Sequence, residues 1–148
     1  MLTVDITFPA SFVNMGEQKM SQAKVDAAVK ESGYLAGKLN EDGSVTYTMT
    51  KLKQQEMLSS ARKSFDEAIQ TALDENTTVK SITRTDDFSE IKIEVSKQDM
   101  TNGFLGLSFA FSAYFYQVLD GKEYATEVVY IDASTGEELS RTSYPLSN

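Results

Sequence analysis

Residues 103–119 read GFLGLSFAFSAYFYQVL, a stretch in which apolar side chains fall on nearly every side of a helix. A helix apolar all round persists in water only when something covers it. A membrane span needs about 20 predominantly apolar residues, whereas this run is shorter and carries Ser108, Ser112 and Gln117. A buried core helix is therefore the expected reading, started by Ser96 or Asp99 and ended at Asp120-Gly121. Its aromatic density, with Phe104, Phe109, Phe111, Tyr114, Phe115 and Tyr116, exceeds what one sheet face covers. These six residues form the candidate interaction surface, to be met by a second helix, a partner or a second copy of the chain.

The rest of the chain alternates between two periods. Leu2, Val4, Ile6 and Phe8 are interleaved with Thr3, Asp5 and Thr7, which predicts a strand ended by Pro9. Ser21 caps a short helix bearing Val25, Ala28 and Val29, closed by Gly33. Asp42-Gly43 marks a hairpin turn, and Val45, Tyr47 and Met49 alternate beyond it. Thr50 caps the clearest helix, in which Leu58, Ala61, Phe65, Ile69, Ala72 and Leu73 recur at three- and four-residue spacing up to Asn76. Strands are predicted over 79–84 and 88–95, joined at Asp86-Asp87, with Ile91, Ile93 and Val95 inward and Glu90, Lys92 and Glu94 outward. A last hairpin covers 124–131 and 137–144 around the turn ASTG.

Clean alternation leaves one face of each strand for solvent, which argues for antiparallel pairing. The expectation is an α+β fold, an antiparallel sheet with three helices packed mainly on one face, and a single domain over 1–148 without repeat or linker. Register places Leu2, Val4, Ile6, Ile91, Ile93 and Val95 toward the helices.

Composition removes several chemistries. With Lys plus Arg at 14 against Asp plus Glu at 22, the net charge of -8 disfavours phosphate-neutralising contact with nucleic acid or anionic membrane. The chain has no His and no Cys, so it carries neither a Ser-His-Asp triad, a Cys-His pair, a disulfide, nor a thiolate or imidazole metal site. Asn40-Glu41-Asp42-Gly43 lacks the alternating oxygen ligands and terminal Glu of a calcium loop. Gly103 and Gly106 fit no phosphate-loop pattern. Ser59-Ser60 near Lys63 lie on an amphipathic helix without the spacing of a Ser-Lys nucleophile. Asp86-Asp87 and Glu137-Glu138 are the pairs from which a carboxylate-dependent hydrolase would be built, although adjacent acids on turns usually serve as solvating charge. No cofactor or metal dependence is expected.

The passages VDITFPASFV and LNEDGSVTYTMTKLKQQEML, taken with the long helix, resemble a family of small cell-surface lipoproteins of Gram-positive bacteria, some of them described as antigen-like. The resemblance extends from Val4 to about Glu138 and rests on structural motifs. It implies an extracellular, surface-anchored location through an upstream lipoprotein signal and a lipid-anchored Cys. The opening MLTVDITFPA reads as a strand instead of a signal peptide, as expected of a segment trimmed from a longer protein. The ending YATEVVYIDASTGEEL is similar to the final hairpin of PepSY-type domains, extracytoplasmic modules associated with peptidase propeptides. The resulting expectation is a non-enzymatic binding or envelope-interaction domain whose partner is a protein or envelope component. A modulator of a secreted peptidase is the alternative.

Overall fold

The computed structural model describes residues 1–15 and 19–146, which form two compact units. One comprises Met1–Ser59 with Val118–Lys122, the other Ser60–Gln117 with Glu123–Asn148.

The first unit contains β1 (Thr3–Phe8), the short α1 (Ala10–Val13), α2 (Gln22–Ser32), β2 (Ala36–Leu39), β3 (Val45–Thr50) and the first turns of α3 (Lys51–Glu75). Its strands pair antiparallel in the order β1-β3-β2. Alternation in β1 and β3 sends Ile6, Phe8, Val45 and Met49 into the core. On the opposite face hydroxyls pair across the strands, Thr7 with Thr46 at 2.8 Å and Thr48 donating to Asp5 at 2.6 Å. The Ser21 hydroxyl accepts from Lys24 N–H at the start of α2, and Gly33 ends the helix at φ 75°. Thr50 caps α3 as the sequence implies, accepting from Lys53 N–H at 3.0 Å. Leu2 departs from the expected register: it lies outside β1 and is 74% exposed. The ladder ends with Thr3 opposite Thr50, so no strand partner covers Leu2.

The second unit holds the remainder of α3, β4 (Val79–Arg84), β5 (Glu90–Val95), α4 (Met100–Leu119) as far as Gln117, β6 (Thr126–Asp132) and β7 (Glu138–Tyr144). Its strands run in the order β4-β5-β6-β7. Ile91, Ile93 and Val95 are fully buried, and Lys92 lies on the wet face, as alternation requires. There Arg141 donates to Glu90, Glu127 and Glu138, and it ends the cross-strand row Lys92–Val129–Arg141.

The class is α+β, as the strand and helix patterns imply. The arrangement differs from the sequence expectation in several further respects. The strands divide between two sheets, and α1 adds a fourth helix among the described residues. The β5–β6 pair is parallel, because α4 lies between these strands and returns the chain to the end from which β5 started. Phe88, expected in a strand, sits instead in the turn before β5 with φ 61° and no exposure. A bulky side chain at positive φ is held there only by its surroundings. Its ring packs on Phe65 and Tyr116 with centroids at 4.9 and 4.1 Å, and the Arg84 guanidinium lies 4.4 Å above it.

Candidate functional site

Helix α4 carries no Asp, Glu, Lys or Arg. Its start is fixed by a reciprocal pair of side chains: Asp99 Oδ1 accepts from Asn102 N–H at 2.9 Å, and Asn102 Oδ1 accepts from Asp99 N–H at 3.0 Å. This is a capping box in which Asn stands in for the usual Glu or Gln. The fully buried Asn102 amide also donates to Thr78 Oγ1 and to the Lys97 carbonyl. Toward the other end, the Gln117 amide donates to the carbonyls of Asp87, Phe88 and Ala125 and accepts from Ala125 N–H.

These anchors fix which way the helix faces. Phe109, Ala113 and Tyr116 are buried, Phe109 against Phe65 at 5.0 Å and Tyr116 accepting a 2.8 Å hydrogen bond from Arg62. The opposite side, at successive steps of four, three and four residues, presents Met100, Phe104, Leu107 and Phe111, which are 80, 64, 56 and 40% exposed. At about 100° per residue this spacing makes one continuous stripe along three turns. Beside it, α3 and α4 enclose a groove of about 200 Å³ lined by Ala68, Thr71, Ala72, Leu105, Ser108 and Phe109 among others.

The six aromatics named from sequence thus separate into three groups. Phe104 and Phe111 lie on the outer stripe, while Phe109 and Tyr116 belong to the core. Tyr114 and Phe115 are half-buried. Tyr114 stacks on Tyr124 at 4.3 Å, and Tyr124 donates to the Ala110 carbonyl at 2.8 Å. Burial, reinforced by Tyr144 and Tyr114, pushes the Tyr124 phenol well above its ordinary range. Met100 and Leu107 complete the stripe. Neither is aromatic, and only their spacing relative to Phe104 and Phe111 marks them.

The acidic turns have structural tasks. Asp42, Asp87 and Asp132 each accept from the backbone N–H two residues ahead, and hydrogen bonding from the Ser44, Ser89 and Ser134 side chains, followed by that from these backbone groups, holds their carboxyls below the usual range. Hydrogen bonding from Arg141 does the same for Glu138. Glu137 is exposed, as are Ser59, Ser60 and Lys63 on α3. Among the described residues no group of three or more acidic side chains is placed to hold a metal ion, and no helix is long and apolar enough to cross a membrane. Comparison of the chain with protein-family models, curated proteins and solved structures found no match.

Proposed function

We propose that this domain is a non-catalytic binding module of an extracytoplasmic, lipid-anchored cell-surface protein, and that it engages its partner through the outer face of α4. The observation that carries this reading is the uncharged stripe Met100–Phe104–Leu107–Phe111, exposed on a helix whose opposite face is fully packed. Contiguous apolar surface of this kind on a folded domain marks an interaction site. Leaving it in water forgoes roughly 25 cal/mol for every Å² that a partner would cover. The non-catalytic part of the reading is supported by Asp87 and Glu138, whose carboxylates are engaged by a turn and by an arginine. The surface location rests on the resemblance carried by VDITFPASFV and LNEDGSVTYTMTKLKQQEML. A modulator of a secreted peptidase is the second reading. The hairpin of β6 and β7 around the Asp132 turn favours it, and the same stripe would serve as its contact surface.

The test is a photo-crosslinking amino acid placed at Leu107 in cells expressing the protein, with Lys63, exposed on α3, as the control position. Adducts from Leu107 and none from Lys63 are expected. Equal yields from the two positions, or none from either, would refute the reading.

A further inference from the structure

We propose that the open edge of β1 is a second docking site, which takes an extended segment of a partner protein as an added strand, with a Lys or Arg of that segment opposite Asp5 and apolar residues on either side of it. The site lies in the first unit and does not depend on the reading of α4.

Backbone pairing locates the opening. Lys51 N–H donates to the Leu2 carbonyl at 2.9 Å, and the β1–β3 register continues from there without a shift to Phe8 opposite Val45. Antiparallel ladders alternate bonded and non-bonded pairs. Val4, Ile6 and Phe8 therefore direct their backbone groups to β3, and Thr3, Asp5 and Thr7 turn theirs away. These last three residues are exposed, and no described residue hydrogen-bonds to their outward backbone groups. An extended peptide laid alongside meets the N–H and C=O groups at the spacing of a strand, which is how sheet edges recruit partners.

The other edge strands are each protected. In the same sheet the edge of β2 is closed by one side chain, because the Gln22 amide donates to the Gly37 carbonyl at 3.1 Å and accepts from Leu39 N–H at 2.9 Å. It fills both positions that a neighbouring strand would use. In the second sheet the edge strands carry cations, Lys80 and Arg84 on β4 and Arg141 on β7, and such charges guard against added strands. Among the edge strands of the described residues, β1 alone has neither device.

Two features select the occupant. Asp5 sits in the middle of the edge, accepts from the Thr48 hydroxyl at 2.6 Å, and forms no ion pair with any described Lys or Arg. Opposite charges across a strand pair attract and like charges repel, so the residue facing Asp5 is a cation. The same rule disfavours a second copy laid antiparallel about Asp5, which would set this carboxylate against itself, and a net charge of -8 on each chain adds repulsion. On the opposite face of the strand Leu2 is 74% exposed and Val4 half-buried, and Leu52, which follows Lys51, is 69% exposed. Apolar residues flanking the cation fall on that face and cover it.

The experiment is an amide-resolved NMR titration of the isotope-labelled full chain with the end-blocked peptide Thr-Val-Lys-Val-Thr, and with Thr-Val-Asp-Val-Thr as control, each up to about 5 mM so that weak binding is seen. It is run at about 50 mM and about 300 mM salt. The lysine peptide should shift the amides of Thr3, Asp5 and Thr7, bind at least about fivefold more tightly than the aspartate peptide, and weaken as salt rises. Asp5→Lys, at an exposed position and checked for unchanged thermal unfolding, should reverse the preference between the two peptides. Thr3→Pro removes an outward N–H while leaving the ladder to β3 intact, and should weaken the lysine peptide. No shift with either peptide, shifts confined to other elements, or equal binding of both peptides would overturn the proposal. So would concentration-dependent shifts of the same amides without peptide, which would make a second copy the occupant.

Discussion

The Tyr130 hydroxyl accepts a hydrogen bond from Gly106 N–H at 3.0 Å and donates to the Asn102 carbonyl at 2.7 Å, placing a sheet side chain between two backbone groups one helical turn apart. Such a close approach leaves no space on the helix. A Cβ at Gly106 would stand 2.9 Å from that oxygen and 3.0 Å from a Val128 methyl. By propensity alone Gly106→Ala gains about 1 kcal/mol, but overpacking costs typically 1–3 kcal/mol and should win. Tyr130→Phe should cost about 1–2 kcal/mol for the lost hydrogen bonds. Because the second change removes the atom that the first one strikes, the double variant should lose less than the sum. Urea unfolding of all three proteins measures the coupling, and strict additivity would contradict this geometry.

The start of α4 offers a graded test. Asp99→Ala removes one cap acceptor and should cost about 1 kcal/mol. Asn102→Ala should cost more, about 2–3 kcal/mol, since it removes a fully buried amide that also donates to the half-buried Thr78 hydroxyl and to the Lys97 carbonyl. Equal effects in denaturant melts would show that the amide network adds nothing to the cap.

Phenylalanines five residues apart on α4 should behave oppositely. Phe109→Ala, at 4% exposure, opens a cavity beside Phe65 and should cost about 3–5 kcal/mol. Phe104→Ala, at 64% exposure, should stay within about 0.5 kcal/mol. Thermal unfolding at low protein concentration distinguishes them, and a large loss at Phe104 would mean that this ring has a structural role.

Alkaline pH should unfold the second unit through Tyr124. Its phenol is raised in the folded state by burial first and by Tyr144 and Tyr114 next, so the native form favours the neutral ring. The resulting stability is present in full below the ordinary phenol pKa of about 10 and drains away as pH rises beyond it. Burial also raises the phenols of Tyr34, Tyr47 and Tyr130, so absorbance at the phenolate band should show late-titrating tyrosines of which Tyr124→Phe removes one. Ionisation of Tyr124 alongside free tyrosine would contradict the packing.

Much of this architecture is legible residue by residue, for a simple reason: period two reports which side of a strand is wet. Ile91, Ile93 and Val95 are therefore identified correctly from alternation alone. The same pattern says nothing about which strand lies alongside, so the division into two sheets and the parallel β5–β6 pair cannot be read from it. In α4 the difficulty is the reverse. With apolar side chains in every direction, the pattern gives no buried side, and the choice of Phe109 and Tyr116 over Phe104 and Phe111 follows from Gly106 facing Tyr130. Phe88 had no signal at all, since positive φ is a glycine or asparagine habit that a phenylalanine adopts only when its ring is trapped.

The parallel joint in the second sheet also governs the order of assembly. The hairpins β4–β5 and β6–β7 each close over a few residues, and such hairpins form in about 1–10 µs. Joining β5 to β6 must wait until all of α4 has been looped back, a non-local step that carries its closure entropy before any contact rewards it. Until then both central strands present bare edges to other chains. Refolding yield should therefore fall with protein concentration even when the finished protein is stable, and α4, by covering the joint, acts as the latch on a process whose slow step is closure.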